Sequence, residues 1–496
     1  MAADPVVKGE GPAVLTSIEN LIRFYGRWLG PLTICFIGAT LSMSLAAQPM
    51  PNEVQRAWQK TGLPASALSM VIEEVNGDRI SAVGSGELKN PASVMKLLTT
   101  WTALSELGPD FVWQTAFLSD KDATIDNQGV LSGPVYLRPG GDPLFLLEDL
   151  WRLLRELRLR GIEQISDIVV DRSRFGNVAI DTWAFDGQGD RPYNASPDVF
   201  MVGFGAVRVV VTPEVDKQRW RAFVDPPVAG VTIDNNVQYV TGPCRRGPQV
   251  AIKTVPAGDQ VAFQLSGKAT GTCGEFDFYR VALSQSDFAA RALKAMWTEL
   301  GGQMTGSVRS GPVPSDAVPL AAHRSPPVAE VIRIINKSSN NVMTRVLLLT
   351  LAAESGERPA SVAGGAEVVL RTLRLQGINV DGMLIENGSG LARSSQVSAD
   401  QVARMLQIAW QSPAMPEFVS SMSVLGTDGT LRRRLRGDTR GYAHMKTGAL
   451  RDARAIAGYV LSATGKRYVF VSLVNDPQAY KARNFENEVI EWLINR

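Results

Sequence analysis

The sequence predicts a mixed α+β protein in which one domain is interrupted by a long β-rich insertion. Three observations carry that reading. Val94, Leu97, Leu98, Trp101 and Leu104 recur at helical spacing in "NPASVMKLLTTWTALSELG". Strand-like pairs stand at both ends: "ASALSMVIEEV" and "RISAVGSG" around an Asn-Gly turn, and "AIAGYVLSA" and "RYVFVSLVN" around a Thr-Gly-Lys turn. From about residue 112 to 283 the texture changes to short β-like runs separated by Gly, Pro and Asp. A chain of 496 residues also exceeds what one core normally holds, so more than one domain is expected.

The elements follow in order. Residues 1–47 read as an export segment. The stretch from Leu29 to Met50 is uncharged and passes through Ser44-Leu45-Ala46-Ala47. Small residues after an apolar run suit a signal peptide cleaved near Ala46 or Ala47. An uncleaved anchor, with membrane association, is the competing reading, because the run is just long enough to span. Either reading places the rest of the chain outside the cytoplasm. Residues 48–111 form the first part of a domain: a short helix in "EVQRAWQK", the hairpin, and the helix that Gly108 and Pro109 stop. Residues 112–283 form the insertion, expected as two small subdomains, with one helix in "LLEDLWRLLRELRLRG". Residues 284–496 return to helices, then the strand pair, then the amphipathic helix "NFENEVIEWLINR".

Composition excludes little but is useful. Lys plus Arg is 51 against 49 for Asp plus Glu, so a net charge of +2 gives no case for a nucleic-acid partner. Outside the apolar run only Cys244 and Cys273 remain. In an exported protein such a pair suggests one disulfide, with two buried free thiols as the alternative. Two cysteines do not make a structural zinc site.

The candidate chemistry is that of a hydrolase without a histidine base. The chain has two histidines; His323 lies in "PLAAHRSPP", read as a loop, and there is no G-x-S-x-G elbow and no H-E-x-x-H. Ser93 and Lys96 form the chain's one S-x-x-K. On a helix they share a face, and a lysine whose pKa is lowered can take the serine's proton. "NKSSNNVMTRVLLLTLAA" offers Ser-x-Asn in two registers, Ser338/Asn340 and Ser339/Asn341, at the front of an apolar helix. A Ser- or Asn-capped core helix has the same appearance. Lys446-Thr447-Gly448 lies on a strand, where the glycine admits a substrate backbone and the lysine meets a carboxylate. The copy at Lys60-Thr61-Gly62 ends a helix and reads as a C-cap.

In that order the three motifs resemble those of the penicillin-recognising serine enzymes. The gap from Ser93 to Ser338 is more than twice that from Ser338 to Lys446. Class A β-lactamases have no such insertion. The chain is similar to the class C low-molecular-mass penicillin-binding proteins, D-alanyl-D-alanine carboxypeptidase/endopeptidases. "RPGGDPLF", "VDRSRFG", "PYNASP", "ENGSGLARSSQVS" and "LGTDGTLRRRL" match the family's segments over most of the chain. The resemblance implies a transpeptidase/β-lactamase-like domain, an antiparallel sheet packed with helices, in the periplasm or cell envelope.

It also implies roles. Ser93 is the acylated nucleophile and Lys96 its base. Ser338 relays a proton to the leaving D-alanine, and Asn340 holds the substrate amide and Lys96. Lys446, Thr447 and Gly448 bind the terminal carboxylate, and the N–H groups of Ser93 and Ala449 form the oxyanion hole. Ser389, Leu391, Arg393 and Asp171 line a pocket for the stem peptide's diamino-acid side chain. His444 shares the strand face of Lys446. Ala449 stands where Ser or Thr is usual, which removes a hydroxyl near the substrate. The implied substrates are peptidoglycan stem peptides ending in D-Ala-D-Ala, with β-lactams as covalent inhibitors and no cofactor. A β-lactamase or esterase, or a non-catalytic peptidoglycan-binding relative, are the alternative functions.

Overall fold

The computed structural model describes residues 49–258 and 260–496, so the export segment expected at 1–47 lies outside the described residues. Its centre is an antiparallel six-stranded sheet. In spatial order the strands are Ser423–Val424, Ala443–Ala449, Ala453–Leu461, Arg467–Asn475, Leu68–Glu74 and Arg79–Val83. The strands from 453 and 467 are apolar along their length because both sheet faces are covered.

Side-chain alternation sorts the strand residues into two cores. Val469, Val471 and Leu473 face one set of helices; Phe470 and Val474 face the other. The first set includes Met95–Leu107, Val328–Ser338, Asn341–Glu354 and Ala399–Gln411. The second is the pair Asn52–Gln59 and Ala482–Ile494, joined edge to face where Trp58 meets Phe485 at 5.1 Å. The hairpin expected at Asn76 forms, with Asn76 itself at φ 58°. Among the described residues, no helix is long and apolar enough to cross a membrane.

The inserted region has its own core, built on a five-stranded mixed sheet and two three-stranded sheets, with the helices Leu147–Leu159 and Gln285–Glu299 packed against them. Its strand pairing continues past residue 283. Strands Val308–Ser310 and Val318–Arg324 are the two outer strands of the five-stranded sheet, pairing with Ile168–Val170 and Gln114–Ser119. The pairing partners are remote in sequence, so no local signal marks the end of the region. For the same reason "PLAAHR" is a strand, not a loop. His323 pairs opposite Thr115 and sits against Asp142 and Asp149 at 3.7 and 3.9 Å. Cys244 and Cys273 are joined, tying the ends of the parallel strands Val231–Val240 and Gln260–Thr270.

"NKSSNN" also differs from a single helix front. It is a break between two helices, Val328–Ser338 and Asn341–Glu354. Ser339 caps the first in a left-handed conformation, φ 58° and ψ 39°. Asn340 caps the second, its side chain accepting from Met343 N at 3.0 Å. A left-handed non-glycine residue is uncommon and is held here by the helix on either side.

Candidate active site

Ser93 lies in a tight turn, Ala92–Val94, that runs straight into the helix Met95–Leu107. The turn is set from outside. Asn90 Oδ1 accepts from Ala92 N at 2.9 Å, while Asn90 Nδ2 donates to Ala392 O at 2.8 Å. Ala92 adopts φ 45°. This strained backbone immediately before Ser93 is the sort that packing must impose. Gly390 makes room for it: a Cβ there would meet Ala92 O at 1.8 Å.

One turn on, Lys96 is completely buried. Its Nζ donates to Ser93 Oγ at 3.0 Å, to Asn341 Oδ1 at 2.6 Å and to the Ser389 carbonyl at 2.6 Å. Burial, then the charges of Lys446 and Arg345, push its pKa well below that of an ordinary lysine. Three acceptors thus surround an amine whose charged form is disfavoured. Lys446 is equally buried and donates to Ser339 Oγ at 2.9 Å and to the Thr447 carbonyl at 2.8 Å. Burial pushes it down to about 7.

The strand Ala443–Ala449 lies against the turn carrying Ser93. A Cβ on Gly448 would stand 2.8 Å from Pro91 O and 2.9 Å from Ser93 N, so only glycine permits the approach. Ser93, Ser339, Asn341 and Ala449 open onto one cleft of about 840 Å³. Leu391 and Arg393 form part of its wall.

The structure therefore brings together Ser93, Lys96, Lys446, Ala449, Leu391 and Arg393, and replaces three expected residues. Ser338 is the last residue of its helix, with Oγ donating back to Ile334 O at 2.6 Å. Asn340 is spent on the helix cap. It is the other register, Ser339 and Asn341, that reaches the two lysines. Asp171 is held in the inserted region by Ser173 N and Val313 N and does not line the cleft. Asp186 does, accepting from Tyr193 OH and Asn194 Nδ2, both at 2.8 Å. Ser389 is fully buried and offers its carbonyl to Lys96 rather than a wall to the cleft. Thr447 Oγ1 is bonded to Thr430 Oγ1 at 2.8 Å. His444 lies two residues before Lys446, opposite Val424 and Tyr459, outside the cleft lining. Lys60 is far from this chemistry, paired with Glu488 at 2.8 Å.

Phe185, Asp186, Gln188 and Tyr193 were not legible as site residues. They come from the insertion, and only the fold lays that loop across the cleft. Arg393 fixes it, stacking over Phe185 at 4.4 Å while pairing with Asp452 at 3.1 Å.

An antiparallel sheet backed by helices, with a serine, two buried lysines and a Ser/Asn pair meeting in one cleft, defines a penicillin-recognising serine hydrolase. Within that class the chain belongs to the D-Ala-D-Ala carboxypeptidase 3 (S13) family, whose model matches residues 51–496, and with the family goes the enzyme class of a serine-type carboxypeptidase. It is 27% identical to the D-alanyl-D-alanine carboxypeptidase of Actinomadura sp. (strain R39) over 428 residues, 82% of this chain and 77% of that protein. It is 25% identical to the D-alanyl-D-alanine carboxypeptidase DacB of Haemophilus influenzae over 442 residues, 83% of this chain and 85% of that one. The fold is shared with the crystal structure of penicillin binding protein 4 from Haemophilus influenzae, at a TM-score of 0.70 and 23% identity over 89% of this chain and 100% of that one. A second structure of that protein, complexed with a β-lactam, gives a TM-score of 0.68 at the same identity and coverage.

Proposed function

We propose that the chain is an exported enzyme of the cell envelope that trims peptidoglycan, as a D,D-carboxypeptidase and as a D,D-endopeptidase on peptide crosslinks. The observation that carries the reading is Lys96, buried and bonded at once to Ser93 Oγ and Asn341 Oδ1, beside a second buried lysine that holds Ser339.

Ser93 Oγ attacks the carbonyl carbon of the penultimate D-alanine, and its proton passes to neutral Lys96. The N–H groups of Ser93 and Ala449 receive the developing oxyanion. The C–N bond breaks, and the D-alanine amine takes a proton by way of Ser339. Water then attacks the acyl-enzyme on Ser93 and releases the shortened peptide. Lys446 holds the terminal carboxylate, and Asn341 orients both Lys96 and the substrate amide. Asp186 and Arg393, a carboxylate and a guanidinium on one cleft wall, suit the ammonium and carboxylate of a diamino-acid side chain. β-Lactams acylate the same serine.

Intact-protein mass spectrometry after incubation with benzylpenicillin tests this. One penicilloyl adduct is expected, on the peptide containing Ser93 and absent in Ser93→Ala. An adduct that persists in that variant removes Ser93 as nucleophile. Nitrocefin turnover faster than D-alanine release from a stem peptide points to a β-lactamase instead.

A further inference from the structure

Behind the cleft, lining a separate neighbouring pocket, lies a third buried cation to which the reaction above gives no part. Arg345 is 6% exposed and lies on the helix Asn341–Glu354, one turn beyond Asn341. Residues four apart share a helix face, so Arg345 stands behind the asparagine that bonds Lys96. Both side chains reach the same strip of the inserted region. Asn341 Nδ2 donates to the Tyr193 carbonyl at 3.1 Å, and Arg345 Nη1 donates to the Ala195 carbonyl at 2.8 Å. Among the described residues Arg345 Nε has no hydrogen-bond partner, and the carboxylate that acts on the guanidinium, Glu386, does so through space. A buried guanidinium with so little compensation is costly and calls for a reason.

We propose that Arg345 is a positioning residue for acylation, anchoring the Tyr193–Ala195 strip to the helix that carries Asn341 and setting a fixed positive charge behind Lys96. The proposal rests on the reading of Ser93 as nucleophile and Lys96 as base. The anchor acts through Asn341, whose amide is held by Tyr193 O on one side and by Lys96 on the other. With the strip released, Asn341 loses one of the two contacts that fix its plane. The charge acts through space. Lys96 faces Lys446 from the strand, Arg345 and Asn341 from the helix, and the Ser389 carbonyl from the loop after residue 387. Asp186 of the inserted loop is bonded to Tyr193 and Asn194, and Glu386, the carboxylate that acts on Arg345, is bonded to Ser394. A cation beside an amine disfavours its protonated form, so Arg345 helps Lys96 stay neutral.

The test is the pH dependence of benzylpenicillin acylation of Ser93 in the full chain, as wild type, Arg345→Met and Arg345→Lys, with far-ultraviolet circular dichroism and melting to verify folding. In wild type the rate falls at low pH as Lys96 takes a proton. In Arg345→Met this limb should move to higher pH by on the order of one unit, and the plateau should fall roughly tenfold as Asn341 loosens. Arg345→Lys keeps the charge, so its limb should stay at the wild-type pH. A limb in Arg345→Met that superimposes on wild type overturns the proposal. So does a limb in Arg345→Lys displaced as far as that of Arg345→Met. If Arg345→Met does not fold, Arg345→Lys decides alone, since a displaced limb contradicts the role of charge. A wild-type chain that acquires no adduct at Ser93 overturns the functional reading itself, and is thereby distinct from a labelled wild type whose variants do not shift.

Discussion

At the residue scale the active site depends on which of two neighbouring serines the backbone turns inward. Ser339 is inward because its left-handed conformation breaks the helix, and Ser338 is spent on Ile334 O. Ser339→Ala should therefore lower the rate of D-alanine release by about 10²–10³-fold, the scale of a lost proton relay. Ser338→Ala should stay close to wild type, and kinetics on the two variants separates the registers. The two lysines set the pH dependence. Lys96 must be neutral to act, and burial with two neighbouring cations pushes its pKa down, in that direction. Lys446 must be charged to hold a carboxylate, yet burial pushes it down to about 7. In the free enzyme its proton is lost as pH rises through that value. Thus kcat/KM for a D-Ala-D-Ala peptide should decline above about 7. The alkaline limb of kcat should lie higher, because a bound carboxylate retains the proton. A kcat/KM profile flat from neutral to alkaline pH contradicts this assignment.

At the element scale, the strand Ala443–Ala449 and the turn at Ser93 are in backbone contact through Gly448. A methyl group there meets backbone atoms at 2.8 and 2.9 Å, and neither is a flexible side-chain tip. Gly448→Ala should push the strand from the nucleophile and cut acylation about a hundredfold, the effect of displacing reacting groups by roughly an ångström. The global melt should move far less than activity does. The disulfide makes the opposite pattern. Cys244 and Cys273 tie strand ends in the insertion and line no part of the cleft. Replacing both by serine should destabilise that region by roughly 3–4 kcal/mol in the chain-entropy model, while penicillin acylation of the folded protein persists. Denaturant unfolding and labelling, measured on the same sample, distinguish the two effects.

At the scale of the whole molecule, the helix Asn341–Glu354 contributes to two hydrophobic cores. Met343, Leu347, Leu348 and Leu351 belong to the core beside the central sheet; Val342, Val346, Leu349 and Ala352 belong to the core of the insertion. A helix apolar all round is buried all round, and this one carries Asn341 and Arg345 at its start. The insertion thus supports the catalytic helix from behind as well as supplying the loop across the cleft. Leu349→Ala, a change in the insertion's core, should cost about 2–5 kcal/mol of stability. The check is denaturant unfolding followed by intrinsic fluorescence.

The sequence by itself determined the local features. Ser93 and Lys96, and Lys446 with Gly448, are readable because their spacing on one helix or one strand already places them on a common face. The alternation of "RYVFVSLVN" and the apolar periodicity after Ser93 likewise follow from local burial. Only the tertiary structure decided the rest. The choice of Ser339 and Asn341 turned on one backbone dihedral that two flanking helices impose. Strand partners across long gaps, as at Val308–Ser310 and Ile168–Val170, likewise had no local signal. Asp186 and Tyr193 reach the cleft because their loop is bonded to the helix that carries Asn341 and Arg345. Local spacing encodes which side chains share an element's face. Which faces then meet is set by long-range burial, and no short motif records it.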